Sequence, residues 1–421
     1  MTTTHTQVII MGCGPAGSAA AALLAKSGIT VRVLEAGAHP RHHIGESLLP
    51  HSMPILDETG LGRDFMESHH QHKFGARFFD PASGDMRTFE FASLSNGDSP
   101  PAFQVIRSIF DQQLRDVAIA SGAEVLENRA VVDAAFSEKA VRLQCADGTS
   151  YTADFLLDAS GAAGFLARRM GLRKMLPDFG RLAIYNYFQD LPVAAEHERQ
   201  YITMHMIPHG WIWCIPLRDG SMSVGAVLGQ KGIGKNLDLR QQFMAAVAQS
   251  PTLQSRIDRA TPLADWRAVS DYSYRCLQKT GPRFMLIGDA GGFLDPIFSS
   301  GVHLALTSAK LAAAAVKEFL GSGSMDKLSG YSETMDQGLA VFESFVGRFY
   351  QRDLVRNLFF APHQPAAARQ AIIGILSGDV WNRSNPLASA ILSRREKTGP
   401  GEGSRPKDAA ERLSASTGFG A

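Results

Sequence analysis

Val8-Ile-Ile-Met11 is a short apolar run, Gly12 to Gly17 is rich in glycine, and Ser18 to Ser27 is dense in Ala and Leu, with Gly28 just beyond. That order predicts a strand, a turn, a helix and a helix stop. Val31-Arg-Val-Leu-Glu35 predicts a second strand and closes a βαβ unit of the ~30 residues such a crossover needs. Phe155-Leu-Leu-Asp-Ala159 and Phe284-Met-Leu-Ile-Gly288 are further apolar runs that end in small residues, and both are expected in the same buried sheet. Phe74 to Phe91 and Ala183 to Leu228 alternate aromatic or β-branched residues with polar ones, the mark of antiparallel strands in a second layer. From Ser300 the pattern turns helical, through Ala305 to Phe319 and then Met335 to Phe360. Leu339, Phe342, Val346 and Phe349 recur there every three or four residues as a core-facing stripe. After Leu392 the apolar period is lost, and Ser393 to Ala421 reads as a flexible tail.

The 421 residues suffice for two or three domains or for one large α/β unit. Hydrophobic types at 45% and charged types at 20% exclude disorder over most of the chain. Lys and Arg number 42 against 41 Asp and Glu, a formal charge of +1, so no net field draws the protein to nucleic acid or anionic lipid. A small-molecule partner follows, with no nucleic acid and no membrane. Cys13, Cys145, Cys214 and Cys276 are too scattered for a disulfide scaffold or a zinc site, and no metal is expected. Val8 to Ala25 has no Lys or Arg before it in Met1 to Gln7, and Gly12, Gly14, Pro15 and Gly17 interrupt it, so it reads as neither signal peptide nor span. The expectation is a cytoplasmic enzyme. Gly229-Gln-Lys-Gly-Ile-Gly-Lys235 approaches a phosphate loop but continues into Asn236 where Ser or Thr should bind magnesium, and is read as a hairpin turn. No Ser-His-Asp, Cys-His or paired-carboxylate arrangement stands out.

Gly12-Cys-Gly14-Pro15-Ala16-Gly17 fits GxGxxG. Each glycine has its own physical reason: a tight turn, close approach of a pyrophosphate to the backbone, and close packing of helix on strand. The helix start then faces the phosphates. Glu35 ends the next strand, 18 residues after Gly17. A carboxylate there accepts ribose hydroxyls and disfavours a 2′-phosphate, although a solvated strand end is the plainer alternative.

Gly288-Asp289-Ala-Gly-Gly292 follows an apolar strand and leads through Asp295-Pro-Ile-Phe-Ser-Ser-Gly301 into a helix. Here the sequence resembles FAD-dependent monooxygenases and their relatives. The resemblance implies that Asp289, beside Gly288, holds the ribityl chain of FAD and that amides near Ser300 and Gly301 lie against the isoalloxazine. Arg107, Asp111 and Leu114 match that group's R-x-x-x-[DE]-x-x-L helix start, whose Arg reaches the cofactor; alone, Arg107 reads as a salt-bridge residue.

Four more stretches narrow the likeness: Ile44-Gly-Glu-Ser-Leu-Leu-Pro50, Lys73-Phe-Gly-Ala76, Trp211-Ile-Trp-Cys-Ile-Pro216, and Asp295 to Gly301 continued into Val302-His-Leu-Ala-Leu306. With Asp271-Tyr-Ser-Tyr274 and Gly378-Asp-Val-Trp381, they make the chain, from about residue 7 to about 385, similar to the flavin-dependent halogenases. The nearest branch is the one acting on pyrroles tethered to carrier proteins. In that family reduced FAD, oxygen and chloride or bromide yield hypohalous acid, which travels through a tunnel to a lysine beside the substrate. Lys73 matches the lysine, and burial of such an amine lowers its pKa toward neutrality; a solvated charge at a strand start is the alternative. His69, His70 and His72 around it read as surface loop, not metal ligands. Trp211 and Trp213 share one side of a strand, and with Ile215, Pro216 and Phe298 the resemblance makes them a wall between flavin and substrate; core packing also accounts for two tryptophans. Glu46 and Ser47 are placed at the tunnel near the ring and grouped with Lys73 as catalytic.

The fold expected is α/β: a Rossmann-type FAD-binding domain (1–75, 101–165 and 266–330) with an inserted antiparallel β-sheet substrate domain (76–100 and 166–265). A C-terminal helical region (331–392) and the flexible tail (393–421) follow. The function expected is an FAD-dependent halogenase fed with reduced FAD by a separate flavin reductase. Its substrate would be an electron-rich aromatic, a pyrrole, phenol or indole on a carrier or peptide. The alternative is a monooxygenase of the same fold that hydroxylates an aromatic, such as a protein-bound tryptophan during cofactor maturation.

Overall fold

A computed structural model of the chain describes residues 4–94, 102–176, 179–193, 195–351, 359–361 and 365–398. The first sheet runs Thr280–Gly281, Phe284–Leu286, Ser150–Asp158, Thr4–Met11, Val31–Leu34, Glu124–Leu126. Its four central pairings are parallel, as helical crossovers require. Val8, Ile9 and Ile10 are each fully buried, with Val8 and Ile10 in one core and Ile9 in another. A strand covered on both faces needs apolar side chains at every position. The predicted runs at Phe155 and Phe284 both join this sheet. The hairpin Val131–Phe136 and Val141–Cys145 adds an antiparallel flank to the first half of Ser150–Asp158.

The second sheet runs Thr261–Pro262, Leu182–Gln189, Met222–Leu228, Gly210–Pro216, Tyr201–Ile207, Gly75–Asp80, Asp85–Glu90, with Arg267–Ser270 also on Leu182–Gln189. It is antiparallel except where Tyr201–Ile207 lies parallel to Gly75–Asp80. Those two strands are far apart in sequence, so no hairpin constrains their direction. One face, with Ile184, Ile212 and Val224, packs under the helices Leu239–Val247, which contributes Phe243, and Pro251–Ile257. The other, with Tyr185, Trp211, Trp213 and Val227, belongs to the main core. The site is built on this second face.

Three expectations are corrected. Gly229 to Lys235 is not a hairpin turn: it leads from a strand through a short 3-10 turn at Gln230–Gly232 to the helix Leu239–Val247. That helix opens on a capping box in which Asp238 and Gln241 exchange side-chain bonds with each other's backbone. The C-terminal helix Pro386–Thr398 carries the chain past Ser393, and the rest of the expected tail lies outside the described residues. The helix predicted over Met335 to Phe360 spans Asp326–Tyr350; Leu339, Phe342, Val346 and Phe349 are all buried on it, and residues 352–358 lie outside the described residues.

Candidate active site

The glycine turn sits at the carboxyl end of Thr4–Met11, where the helix Pro15–Lys26 begins with Gly14 as its N-cap. Gly12 has φ +101, and a Cβ there would meet the Ala159 carbonyl at 2.4 Å, while one on Gly17 would meet the Gly12 carbonyl at 2.0 Å. Strand, turn and helix close on one another only because these side chains are absent. Glu35 is buried and braces the turn from below: one carboxylate oxygen accepts from the Cys13 amide at 2.6 Å and the other from the Gly37 amide at 3.0 Å. Arg41 lies 3.8 Å from Glu35, beside the open space above Gly14.

Asp289 follows the strand Phe284–Leu286 in the short turn Gly288–Gly291. Among the described residues no donor bonds its carboxylate, and burial pushes its pKa up to about 6, opposed by the Arg107 charge. Neither the helix Pro15–Lys26 nor Ser300–Ser322 has a side-chain cap at its start, which leaves first-turn amides of both free for a ligand. An acceptor lacking donors between two open helix starts fits a dinucleotide whose hydroxyls donate and whose phosphates and ring oxygens accept. FAD is such a molecule, and Gly12 to Gly17, Asp289, Ser300 and Gly301 are the residues that would hold it.

Arg107, at the start of the helix Arg107–Ala120, is fully engaged inside the protein. Its Nε and Nη2 donate to the Asp111 carboxylate at 2.7 and 2.9 Å, and Nη1 donates to the Ile44 carbonyl at 2.7 Å. The guanidinium therefore clamps the segment that contains Glu46 and Ser47. Glu46, 1% exposed, accepts from the Tyr187 hydroxyl and the Gly45 amide, and burial raises its pKa. His42 stacks on Tyr185 and bonds its hydroxyl at 3.2 Å.

Lys73 ends the short strand Gln71–Lys73, which pairs with Ala102–Gln104. It is 2% exposed, so the solvated alternative fails. Its Nζ donates to the Leu48 carbonyl at 2.8 Å and lies 5.4 Å from the Phe91 ring. Burial alone pulls its pKa down to about 7. The surrounding histidines are corrected: they form no surface loop. His69 ends a helix, His70 is buried against Gln113 and Phe110, and His72 lies on the lysine strand against Phe103. Among the described residues no group of His, Cys, Asp or Glu could hold a metal.

Trp211, Trp213 and Ile215 all fall in the main core, with the two indoles 5.8 Å apart. Trp211 Nε1 donates to the Tyr350 hydroxyl at 3.0 Å, which donates to Asp295 at 2.9 Å. Burial raises Asp295 to about 6. The Trp213 ring lies across Gly225 of the neighbouring strand, where a Cβ would come within 2.2 Å of it. Phe298 is buried among Phe345, Phe349 and Phe359. Pro216 departs from the expected wall, since strand alternation puts it in register with Ile212 and Cys214 on the opposite face.

Thus the segment 44–48 brings Arg107, Glu46, Ser47 and Lys73 together, and Tyr350 ties Trp211 to Asp295 and to the helix Asp326–Tyr350, while Trp213 bonds Ser223 on the neighbouring strand. Sequence reasoning missed Tyr185, Tyr187 and Gln104. The two tyrosines left a signal, being two apart on a strand and so on one face; Gln104 left none.

The model of the family described as "Tryptophan halogenase" matches residues 7–99 and 91–360. A tryptophan 2-halogenase of Chondromyces crocatus is 33% identical over 403 residues, covering 92% of this chain and 76% of that one. A 1H-pyrrole-2-carbonyl-[peptidyl-carrier protein] chlorinase of Pseudomonas fluorescens is 32% identical over 405 residues, covering 89% of both. Among solved structures, a flavoprotein/dehydrogenase of Cytophaga hutchinsonii superposes with TM-score 0.84 at 30% identity over 93% of this chain and 98% of that one. Among the described residues no helix is long and apolar enough to cross a membrane. With likeness running through glycine turn, lysine strand and tryptophan strand alike, the chain belongs to the flavin-dependent halogenase family, FAD-dependent oxidoreductases that take halide and oxygen as co-substrates.

Proposed function

We propose that the protein halogenates an electron-rich aromatic presented on a carrier protein, with reduced FAD delivered by a separate flavin reductase. The observation that carries this reading is Lys73: an amine 2% exposed, lowered to about 7 by desolvation, and bonded to a backbone carbonyl. A buried lysine is costly unless it has work to do. When bound, the flavin supplies the redox chemistry that side chains lack.

The chain's own residues then divide the labour. Gly12, Gly14, Pro15, Ala16 and Gly17 seat the pyrophosphate at a helix start, Glu35 holds the turn and faces the ribose, and Asp289 beside Gly288 accepts from the ribityl hydroxyls. Ser300 and Gly301 offer amides to the ring. Arg107 holds Ile44 in place and so fixes Glu46 and Ser47 relative to that site. Trp211, Trp213, Ile215 and Phe298 keep water and bulky aromatics from the ring, while Lys73 donates to hypohalous acid and aims it at the substrate. The pyrrole-carrier chlorinase supports a tethered substrate.

The test is turnover with a flavin reductase, NADH and oxygen, with chloride, bromide or no halide, against carrier-bound pyrrole, phenols and indolic peptides, read by mass spectrometry. Halogenated carrier-bound pyrrole is expected. A hydroxylated product whose yield ignores halide would put the monooxygenase reading in its place.

A further inference from the structure

Lys73 does not stand alone on its strand pair. Lys73 pairs with Ala102 and Gln71 with Gln104, and beyond Gln104 a single bridge pairs it with Ser47. The bonds Leu48 amide to Phe103 carbonyl and Val105 amide to Glu46 carbonyl hold that third segment in register. Directly paired residues point to the same side, and alternate residues to opposite sides. Lys73, Ala102, Gln104 and Ser47 therefore share one face. His72, Phe103 and Glu46 share the other, as the 5.1 Å contact between the His72 and Phe103 rings agrees. The small side chain of Ala102 lets the lysine reach across its strand to the Leu48 carbonyl.

On that face two of the polar side chains lack partners. Gln104 is 1% exposed, yet its Nε2 and Oε1 are both buried without a hydrogen bond among the described residues, and the Ser47 hydroxyl, in a residue 6% exposed, is in the same condition. Each such atom costs about 1–3 kcal/mol when left dry. A core does not keep three in one place unless something comes to meet them. An unpaired carboxamide offers a donor and an acceptor together. A halide ion accepts only and would be repelled by Oε1, whereas neutral hypohalous acid both donates through its hydroxyl and accepts at its oxygen.

We propose that Gln104, with Ser47, is a positioning residue that seats hypohalous acid against Lys73, the carboxamide taking its O–H and giving an N–H in return. This rests on the function proposed above and adds the residue that holds the oxidant still while the amine directs it.

The test uses the full-length protein with Gln104→Leu and Gln104→Glu, both checked for FAD binding and melting temperature. Carbamylation of Lys73 by cyanate, followed by peptide mass spectrometry across pH, reads the amine directly and without turnover. Gln104→Glu should raise the labelling midpoint by at least one pH unit, and Gln104→Leu should lower it; a scaffold role moves neither in opposite directions. In turnover with bromide, Gln104→Leu should send about ten times more oxidised bromine to a soluble β-diketone trap, at the expense of the aromatic product. Wild-type midpoints and wild-type partition in both variants overturn the assignment of Gln104. Shifted midpoints in the two variants, together with a wild-type enzyme that yields oxidised halogen to neither trap nor aromatic, overturn the function, and the proposed occupant with it.

Discussion

Two polar groupings are sunk in the same apolar core and are built on opposite plans. Beside the tryptophan strand, the indole of Trp211 donates to Tyr350, Tyr350 donates to Asp295, and the other Asp295 oxygen accepts from the Ile297 amide. Beside the lysine strand, Lys73 uses a single donor while Ser47 and Gln104 use none of their side-chain atoms. A closed chain of bonds gives rigidity, and an open one gives capacity for a visitor. Under the function proposed above, the contrast separates the part that would shape the chamber from the part that would work in it, which neither burial nor residue type alone could do.

The sharpest way to break the contrast is Lys73→Ala. It should keep FAD binding and lose the halogenated product by roughly 10²–10⁴-fold, the range for a positioned proton donor, as read by mass spectrometry. Normal halogenation in that variant removes the working half of the comparison. Lys73→Met sharpens it from the side of stability. The folded pKa, about 7, lies below the ordinary 10.5, so between those values the unfolded chain binds a proton that the folded one does not, and stability rises with pH. Lys73→Met should therefore be more stable than wild type by a few kcal/mol at pH 7, with the gap closing toward pH 10.5; parallel denaturation curves at pH 7 and 9.5 would contradict it.

On the rigid side, Tyr350→Phe leaves the Trp211 indole and one Asp295 oxygen unpaired. It should cost about 1–3 kcal/mol in denaturant unfolding while the fraction of oxidant reaching substrate stays near wild type. If partition changes and stability does not, the two groupings have been assigned the wrong way round. The smallest effect is a reference: Arg63→Ala breaks an exposed pair with Glu67 at 2.9 Å and should shift stability by under about 0.5 kcal/mol, with product unchanged.

How much of this was legible in the sequence follows from the range of the contacts. The glycine turn, the strand that delivers Asp289 and the shared face of Trp211 and Trp213 are local patterns set by backbone geometry, and the structure has them. The same holds for the apolar stripe on Asp326–Tyr350. The contact of Tyr187 with Glu46 joins residues 141 positions apart, and the bridge of Ser47 to Gln104 depends on a three-residue strand. No periodicity announces such pairings, because they arise only when distant segments meet. The histidines near Lys73 misled for the same reason: polar residue types suggested surface, and tertiary packing buried His70. The helices after Asp238 were hidden by the glycine-rich lead-in that resembled a turn.

The clamp on residues 44–48 has one more consequence. Arg107 grips the carbonyl of Ile44 at one end, and Lys73 grips that of Leu48 at the other. Four residue steps of chain cover at most about 13 Å, so this short span works as a ruler between the neighbourhood of Asp289 and the amine. An insertion that lengthened it would change the distance between the two grips, even with every side chain on either bank left intact.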